Sequence, residues 1–259
     1  MNQQEIEEKL ADLNLSAIRY FTSVGSTNDE ALAWARKDAE NLSLVVADEQ
    51  TMGRGRMGRP WFTPSQTALA FSLILRPTRN EIPLLSRTVG LAALAIADAL
   101  QMLNLDPQIK WPNDILLNGR KTAGILIEMI WNDDEVESLV IGMGINVAKR
   151  AVPSTDILGF PGTSLENVLG YAPDRIALLH SILANIVALR PHTATESFMS
   201  SWEKKLAYYG RQVRVEMGGD KSVSGKLVGL ETDGSLKIQD DDGKSISVRF
   251  GDVRLRLFA

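Results

Sequence analysis

Apolar and polar positions change their period several times along the chain, and each change marks an element. LSLVVADEQ (42–50) is apolar and β-branched and then turns abruptly polar, which predicts a buried strand ending near Glu49. TALAFSLILR (67–76) predicts a second strand, and EIPLLSRTVGLAALAIADALQML (81–103) a long, largely buried helix. Ahead of them, Thr27 and Glu30 have the capping-box spacing and lead into the helix formers ALAWARKDAE. A helix is therefore predicted from about 27 to 40, with Ser26, Thr27 and Asn28 at its start. From Ile109 come a short strand, KWPND, an apolar strand with a turn at Asn118-Gly119, KTAGILIEMIW, an acidic turn (NDDE, 132–135) and SLVIGMGINV. That sequence of runs and turns is a strand meander. Strands packed against the helices on one side predict an α+β domain.

Two amphipathic helical patterns follow residue 173, PDRIALLHSILANIVAL and TATESFMSSWEKKLAYY. The texture then changes. From Arg211 onward, four or five short alternating segments are separated by GGD, TDG and DDDG turns, which predicts a small SH3-like barrel. The boundary falls near Gly210, giving domains 1–209 and 210–259, and there is no internal repeat or low-complexity tract.

Composition narrows the chemistry. A chain of 259 residues that is 44% hydrophobic has room for a sizeable core, and having no cysteine it can use neither a disulfide, a thiolate nucleophile nor a cysteine zinc site. The net charge of -4 argues against a protein that coats nucleic acid. The most apolar run, Val89 to Leu100, is interrupted by Asp98 and is short for a membrane span, and the acidic start MNQQEIEEKLADLN is unlike a signal peptide. A cytoplasmic location and no membrane partner are the expectation.

GRGRMGRPW (53–61) contains a G-x-G-x-x-G in Gly53, Gly55 and Gly58. A dinucleotide fingerprint needs those glycines to join a strand to a helix whose amides hold the pyrophosphate. Here Arg59-Pro60-Trp61-Phe62-Thr63-Pro64 follows, and two prolines so close together rule against a helix. Gly243-Lys244-Ser245 ends like a Walker loop, but Ile238 stands where its leading glycine belongs. HExxH and GxSxG are absent, and only His180 and His192 could supply imidazole chemistry. What remains is a loop with Arg54, Arg56 and Arg59 and no acid between Gln50 and Trp61. Glycines let backbone amides approach an anion while guanidinium forks match phosphate or carboxylate oxygens. On composition alone, a solvated surface loop or an RNA-binding segment stands beside that anion clamp, and Trp61 is a core anchor or a lid.

GRGRMGRPW, followed by KWPND (110–114), GRKTAGILIE (119–128) and GMGINV (142–147) and preceded by GSTN (25–28), resembles the biotin protein ligases in order and spacing, from Ser23 to the terminal barrel. The resemblance implies an α+β, mixed-sheet catalytic domain of class II synthetase-like type with a C-terminal SH3-like β-barrel. It also implies activation of biotin by Mg-ATP to biotinyl-5'-adenylate, then transfer of the biotinyl group to one lysine of a biotin carboxyl carrier protein. Attack of a carboxylate on an α-phosphate gathers negative charge, so fixed cationic donors are the main requirement and no protein nucleophile is needed. The family's biotin-binding set falls on Ser26, Thr27, Asn28, Gln50, Gly53, Arg54, Gly55, Arg56, Lys121 and Gly124. Its ATP-binding set falls on Arg54, Arg56, Arg59, Trp61, Lys110, Asn113 and Asn146. Lys121 and Arg54 carry the catalytic roles by resemblance, and Asp114 stands where Mg²⁺ would be met. The residues themselves also allow plainer roles: helix capping for Thr27, a solvated lysine after an Asn-Gly turn for Lys121, an Asx turn for Asp114 and a strand end for Asn146.

The loop would be mobile when empty and ordered over the water-sensitive mixed anhydride when full. Met52 and Met57 depart from the family, where a small residue and often a charged one are expected. Only about 25 residues precede GSTN, fewer than a winged DNA-binding domain needs, so the expectation is a single-function ligase that binds no operator DNA. A homodimer is left open. Two rivals stand beside this reading. One is a lipoate or octanoate ligase. The other is a nucleic-acid-binding module, which should interleave aromatics with basic residues, whereas from Arg211 onward the aromatics are Phe250 and Phe258 alone.

Overall fold

A computed structural model describes residues 1–153, 160–219 and 221–255. Asp220 of the GGD turn and Phe258 lie outside them. The first sheet contains β1 (Ala17–Phe21), β2 (Ser43–Ala47), β3 (Ala68–Leu75), β4 (Pro107–Lys110), β5 (Asp114–Leu117), β6 (Arg120–Asn132) and β7 (Glu135–Asn146). Its strand order is β1-β2-β3-β7-β6-β5-β4, with β1 and β2 parallel and every other neighbour antiparallel. This is the meander expected from Ile109 onward, widened by β1, whose half-exposed sequence AIRYF carries little strand signal. The side chain of Gln3, in α1 (Gln3–Lys9), serves this edge strand like a piece of backbone. It donates to Ile18 O (2.9 Å) and accepts from Tyr20 N (2.9 Å).

Helices cover both faces, which corrects the expectation of one. Along each strand alternate residues enter separate cores. Leu44, Val46, Leu73, Leu75, Leu139 and Ile141 join α3 (Thr88–Gln101) and α5 (Arg175–Leu189), whereas Val45, Ile74, Val140 and Ile130 join α2 (Thr27–Ala35) on the other side. The helix α2 is also shorter than predicted and lacks the Thr27–Glu30 capping box. Ser26 is its N-cap and makes no side-chain cap bond. Its far end stops where the guanidinium of Arg76, just past β3 on the same face, donates to Ala35 O (3.0 Å) and to Ala39 O (2.9 Å) of the turn that follows. The helical stretch Ile82–Gln101 is by length and composition able to cross a membrane, a longer run than Val89 to Leu100; its most apolar 18 residues have a mean hydropathy of 1.4 and 56% of them are buried here, and its α-helical part, Thr88–Gln101, is the central core helix.

The second sheet begins at Gln212, where the alternating texture begins. Its strands are β8 (Gln212–Glu216), β9 (Ser222–Leu230), β10 (Leu236–Gln239), β11 (Ser245–Val248) and β12 (Asp252–Leu255), antiparallel in the order β11-β10-β9-β8-β12. Its attachment is specific. Trp202, in α6 (Glu196–Lys204), lies against Gly90 and Gly234, so that a methyl group at either glycine would overlap the indole. Trp111 Nε1 donates to Gly234 O (2.9 Å), and Leu230 N donates to Glu203 Oε2 (2.9 Å). These contacts bring β12 beside the glycine and arginine loop. A short helix, α4 (Leu165–Leu169), follows the first sheet without having been predicted.

Candidate active site

The two-residue period of β7 divides GMGINV. Met143, Ile145 and Val147 enter the core below α3, leaving Gly142, Gly144 and Asn146 on the face of α2. Register places Ser72 and Leu126 beside Gly142, Gly124 beside Gly144, and Asp114 beside Gly124. The result is a floor of small residues running from α2 towards β5. Two of the glycines are required by what lies on them. A Cβ at Gly142 would overlap the Asn28 carboxamide, and one at Gly144 would overlap the indole of Trp61.

At the α2 end the lining is neutral and hydrogen-bonded. Thr27 N donates to Gln50 Oε1 (2.8 Å), and Gln50 Nε2 donates to Thr63 Oγ1 (3.1 Å). Ser72 Oγ donates to Asn28 Oδ1 (2.6 Å) and lies 2.8 Å from Thr27 Oγ1. Ser26, Thr27, Asn28 and Ser72 are all buried. Asn28 Nδ2 donates to Glu128 Oε2 (2.8 Å).

The segment 53–61 forms a tight antiparallel turn rather than a strand-to-helix joint. Trp61 N donates to Gly53 O (2.8 Å) and Gly55 N to Arg59 O (2.7 Å), with Met57 and Gly58 in the left-handed region at the tip. Side chains from the rest of the chain dock this turn and neutralise all three of its arginines. Arg54 pairs with Glu128 through Nη1 (3.1 Å) and Nη2 (3.0 Å), and with Asp29. These two carboxylates raise the pKa of the guanidinium above its ordinary value. Arg59 pairs with Asp252 Oδ2 (2.6 Å), while Arg56 donates to Asn113 Oδ1 (3.1 Å) and lies 3.6 Å from Asp252. Burial pushes the Asp252 carboxyl up, but the Arg59 hydrogen bond and the charges of Arg59, Lys110 and Arg56 outweigh it and hold the group below the usual carboxylate value.

Lys121 and Lys110 flank Asp114, with Nζ to carboxylate distances of 2.5 and 3.6 Å. Lys110 is buried, and burial lowers its pKa. Lys121 Nζ also lies 5.4 Å from the centre of the Trp61 ring. A β-bulge brings this lysine to the site. Leu116 pairs with Lys121 and Ile115 with Ala123, so Thr122 is the extra residue. In a straight strand Lys121 and Gly124 would face opposite ways; the bulge puts both on the floor. Asn113 fastens the neighbouring strand, donating from Nδ2 to Ile125 O (2.7 Å) and accepting from Ile125 N through its backbone (2.9 Å). Asn146 Nδ2 donates to Thr163 O (3.1 Å), a tether for the segment that pairs with Lys121, whose N–H donates to Pro161 O (2.8 Å).

Strand register, hydrogen bonds and ion pairs thus join Thr27, Asn28, Gln50, Arg54, Arg56, Arg59, Trp61, Lys110, Asn113, Asp114, Lys121, Gly124 and Asn146 along one face of the sheet, a trough between α2 and β5, with Ser26 at the helix start beside it. Ser72, Thr63, Glu128, Asp29 and Asp252 were missed. A lone serine inside the apolar strand ALAFSLIL was a readable signal for Ser72; the acids that reach the arginines from distant segments left none.

Residues 20–146 match the Biotin/lipoate A/B protein ligase family and residues 208–256 the biotin protein ligase C terminal domain. The bifunctional ligase/repressor BirA of Bacillus spizizenii is 36% identical over 231 residues, covering 86% of this chain and 70% of that protein. The chain belongs to the biotin protein ligase family. Within that family, the biotin--[acetyl-CoA-carboxylase] ligase of Paracoccus denitrificans is 32% identical, covering 85% of this chain and 93% of its own. The structure of the biotin protein ligase from Aquifex aeolicus in complex with biotin and ATP superposes with a TM-score of 0.79 at 28% identity, over 93% of this chain and 99% of that one. The ligase match ends at Asn146, the last floor residue, and the C-terminal match contains Asp252.

Proposed function

We propose that this chain is a biotin--[biotin carboxyl-carrier protein] ligase that works in two steps along the trough. A biotin carboxylate oxygen attacks the α-phosphorus of ATP, the bond to the β-phosphate oxygen breaks, and pyrophosphate leaves. The neutral amine of a carrier lysine then attacks the acyl carbon of biotinyl-5'-AMP. The bond to the AMP oxygen breaks, and the new amide loses its proton to solvent. The observation that carries this reading is the polarity of the trough: a buried, uncharged donor and acceptor set at one end, and Arg56, Arg59, Lys110 and Lys121 at the other.

Ser26, Thr27, Asn28 and Gln50 suit a small neutral polar ring system such as that of biotin, because Ser26, Thr27 and Asn28 are buried and hydrogen bonds direct Thr27, Asn28 and Gln50. Gly53, Arg54, Gly55 and Arg56 close over it, and Gly124 lets the ligand approach the strand backbone. Lys121 is the member of the cationic end that lies beside Gly124 and Trp61, on the side facing the neutral end, where a carboxylate and an α-phosphate would meet, and its ammonium stabilises the charge that develops between them. Arg54 and Arg56 contribute to the same charge, while Arg59, Lys110 and Asn113 take the outgoing phosphates. Trp61 and Asn146 receive the adenine. Asp252 and Asp114 hold these cations in place until phosphates replace them. Among the described residues no three His, Asp or Glu side chains converge on a point. The donor set fits Mg²⁺ arriving on ATP, with phosphate oxygens as its main ligands and Asp114 as the protein carboxylate beside it. Bound there, the cation would supply positive charge against the leaving pyrophosphate.

The test is pyrophosphate release from Mg-ATP with biotin, with lipoate and with no acid, followed by labelling of a carrier domain. Biotin-dependent release and labelling are expected. Release with lipoate alone would leave the adenylation chemistry standing and reject the substrate.

A further inference from the structure

We propose that Glu128 is a positioning residue that couples recognition of biotin to docking of the arginine loop; the inference rests on the ligase reading above. Glu128 lies on β6, facing the trough beside Val140, and its carboxylate accepts from both the start of α2 and the arginine turn, which share no other side-chain acceptor among the described residues. Oε2 accepts from Asn28 Nδ2 (2.8 Å) and from Arg54 Nη2 (3.0 Å), while Oε1 accepts from Arg54 Nη1 (3.1 Å). The Arg54 contact is a two-pronged guanidinium–carboxylate pair, which fixes direction as well as distance.

The contact with Asn28 sets a polarity. A carboxamide can present either its oxygen or its nitrogen to a neighbour, and only the surroundings decide which. An ionised carboxylate accepts and never donates, so Glu128, as the nearer partner at 2.8 Å beside the Leu126 carbonyl at 3.4 Å, commits the Asn28 nitrogen to its side. The Asn28 oxygen then receives the Ser72 hydroxyl above Gly142. Asn28 begins the helix that lines the neutral end, and Arg54 begins the turn that covers it, so one carboxylate holds the wall and the cover in a single arrangement. Asp29 also binds Arg54 but makes no hydrogen bond to Asn28, so it tethers the turn without setting the wall.

Glu128→Gln keeps the shape and removes the charge. We expect biotin KM to rise about tenfold, the loss of a charge-assisted bond, with ATP KM within about twofold of wild type. Tryptic cleavage after Arg54 and Arg56 in ligand-free protein should quicken several-fold. Asp29→Asn should quicken that cleavage while leaving biotin KM within about twofold. Unchanged biotin KM, or an equal rise in both KM values with a lowered Tm, would overturn the proposal. If Glu128→Gln fails to fold, Glu128→Asp carries the same test, because it keeps the charge but is too short to reach Asn28 and Arg54 together. A wild type that releases no pyrophosphate with biotin would sink the ligase reading instead, and the ligand-free cleavage rates would still decide whether Glu128 tethers the loop.

Discussion

The two ends of the trough are built on opposite principles. The α2 end lines its floor with uncharged groups that satisfy one another, Thr27 on Gln50, Gln50 on Thr63 and Ser72 on Asn28, with the Glu128–Arg54 pair at its rim. The β5 end is a set of cations each already facing an acid: Lys121 and Lys110 on Asp114, Arg56 and Arg59 on Asp252. A neutral network gains by being rigid, because an unpaired buried group costs more than its bond contributes. A cation end gains by being exchangeable, since the guanidinium that now holds a carboxylate offers the same forked donors to a phosphate. The difference shows how one site can discriminate a small uncharged ring system and still bind and release a polyanion.

The contrast can be broken most severely at the point where the ends meet. Lys121→Ala should lower biotin-dependent pyrophosphate release by about a hundred- to a thousandfold, the usual loss on removing one transition-state donor, with an unchanged Tm. Gly142→Ala should break the neutral end alone: the added methyl displaces Asn28, and biotin KM should rise at least about tenfold while overpacking costs about 1–3 kcal/mol of stability. Equal effects on ATP KM would mean that the two ends are not independent. Salt should separate them in the other direction. Raising ionic strength from 0.05 to 0.5 M, across a fall in Debye length from roughly 14 to 4 Å, should raise ATP KM several-fold and leave biotin KM nearly flat.

Titration acts on the cation end too. The folded-state pKa of Asp252 is lowered, so its pairing with the arginines contributes stability above the ordinary value of 3.8, and that contribution is lost as pH falls through the lower, folded value. Acid unfolding below about pH 4 should therefore be shallower in Asp252→Asn. Lys110 has the opposite sign. Burial lowers its pKa from 10.5, so its buried charge costs stability at low pH, and the cost is relieved as pH rises through the folded value towards 10.5. The smallest effect is expected at the tip of the turn. Met57 is 70% exposed with a φ of 57°, and Met57→Gly should remove a left-handed strain of about 1 kcal/mol, read as a small rise in Tm, with both KM values unchanged.

How much of this was legible follows from whether the cause is local. Alternation alone puts Gly142, Gly144 and Asn146 on one face, and the prolines after Gly58 exclude a nucleotide-binding helix; both are properties of a few adjacent residues. The side of the sheet taken by α2 was not local, because it depends on which parity of β2, β3 and β7 it covers. Nor were the acids opposite the arginines, since Glu128 and Asp252 stand 74 and 193 residues away from Arg54 and Arg59. A loop that carries three positive charges in sequence is therefore a set of ion pairs in space, and only the second description explains how it is held.

The bulge at Thr122 joins two hairpins of different phase. The turn at Asn118-Gly119 fixes which way Lys121 points, and the pairing with β7 fixes which way Gly124 and Glu128 point. Counted in twos along the strand, lysine and glycine disagree by one, and Thr122 absorbs the remainder. Excising Thr122 would leave a straight strand in which every facing relation survives. The fully buried residue that a substitution scan would mark as indispensable is thus the one this stretch could omit without turning its lysine away.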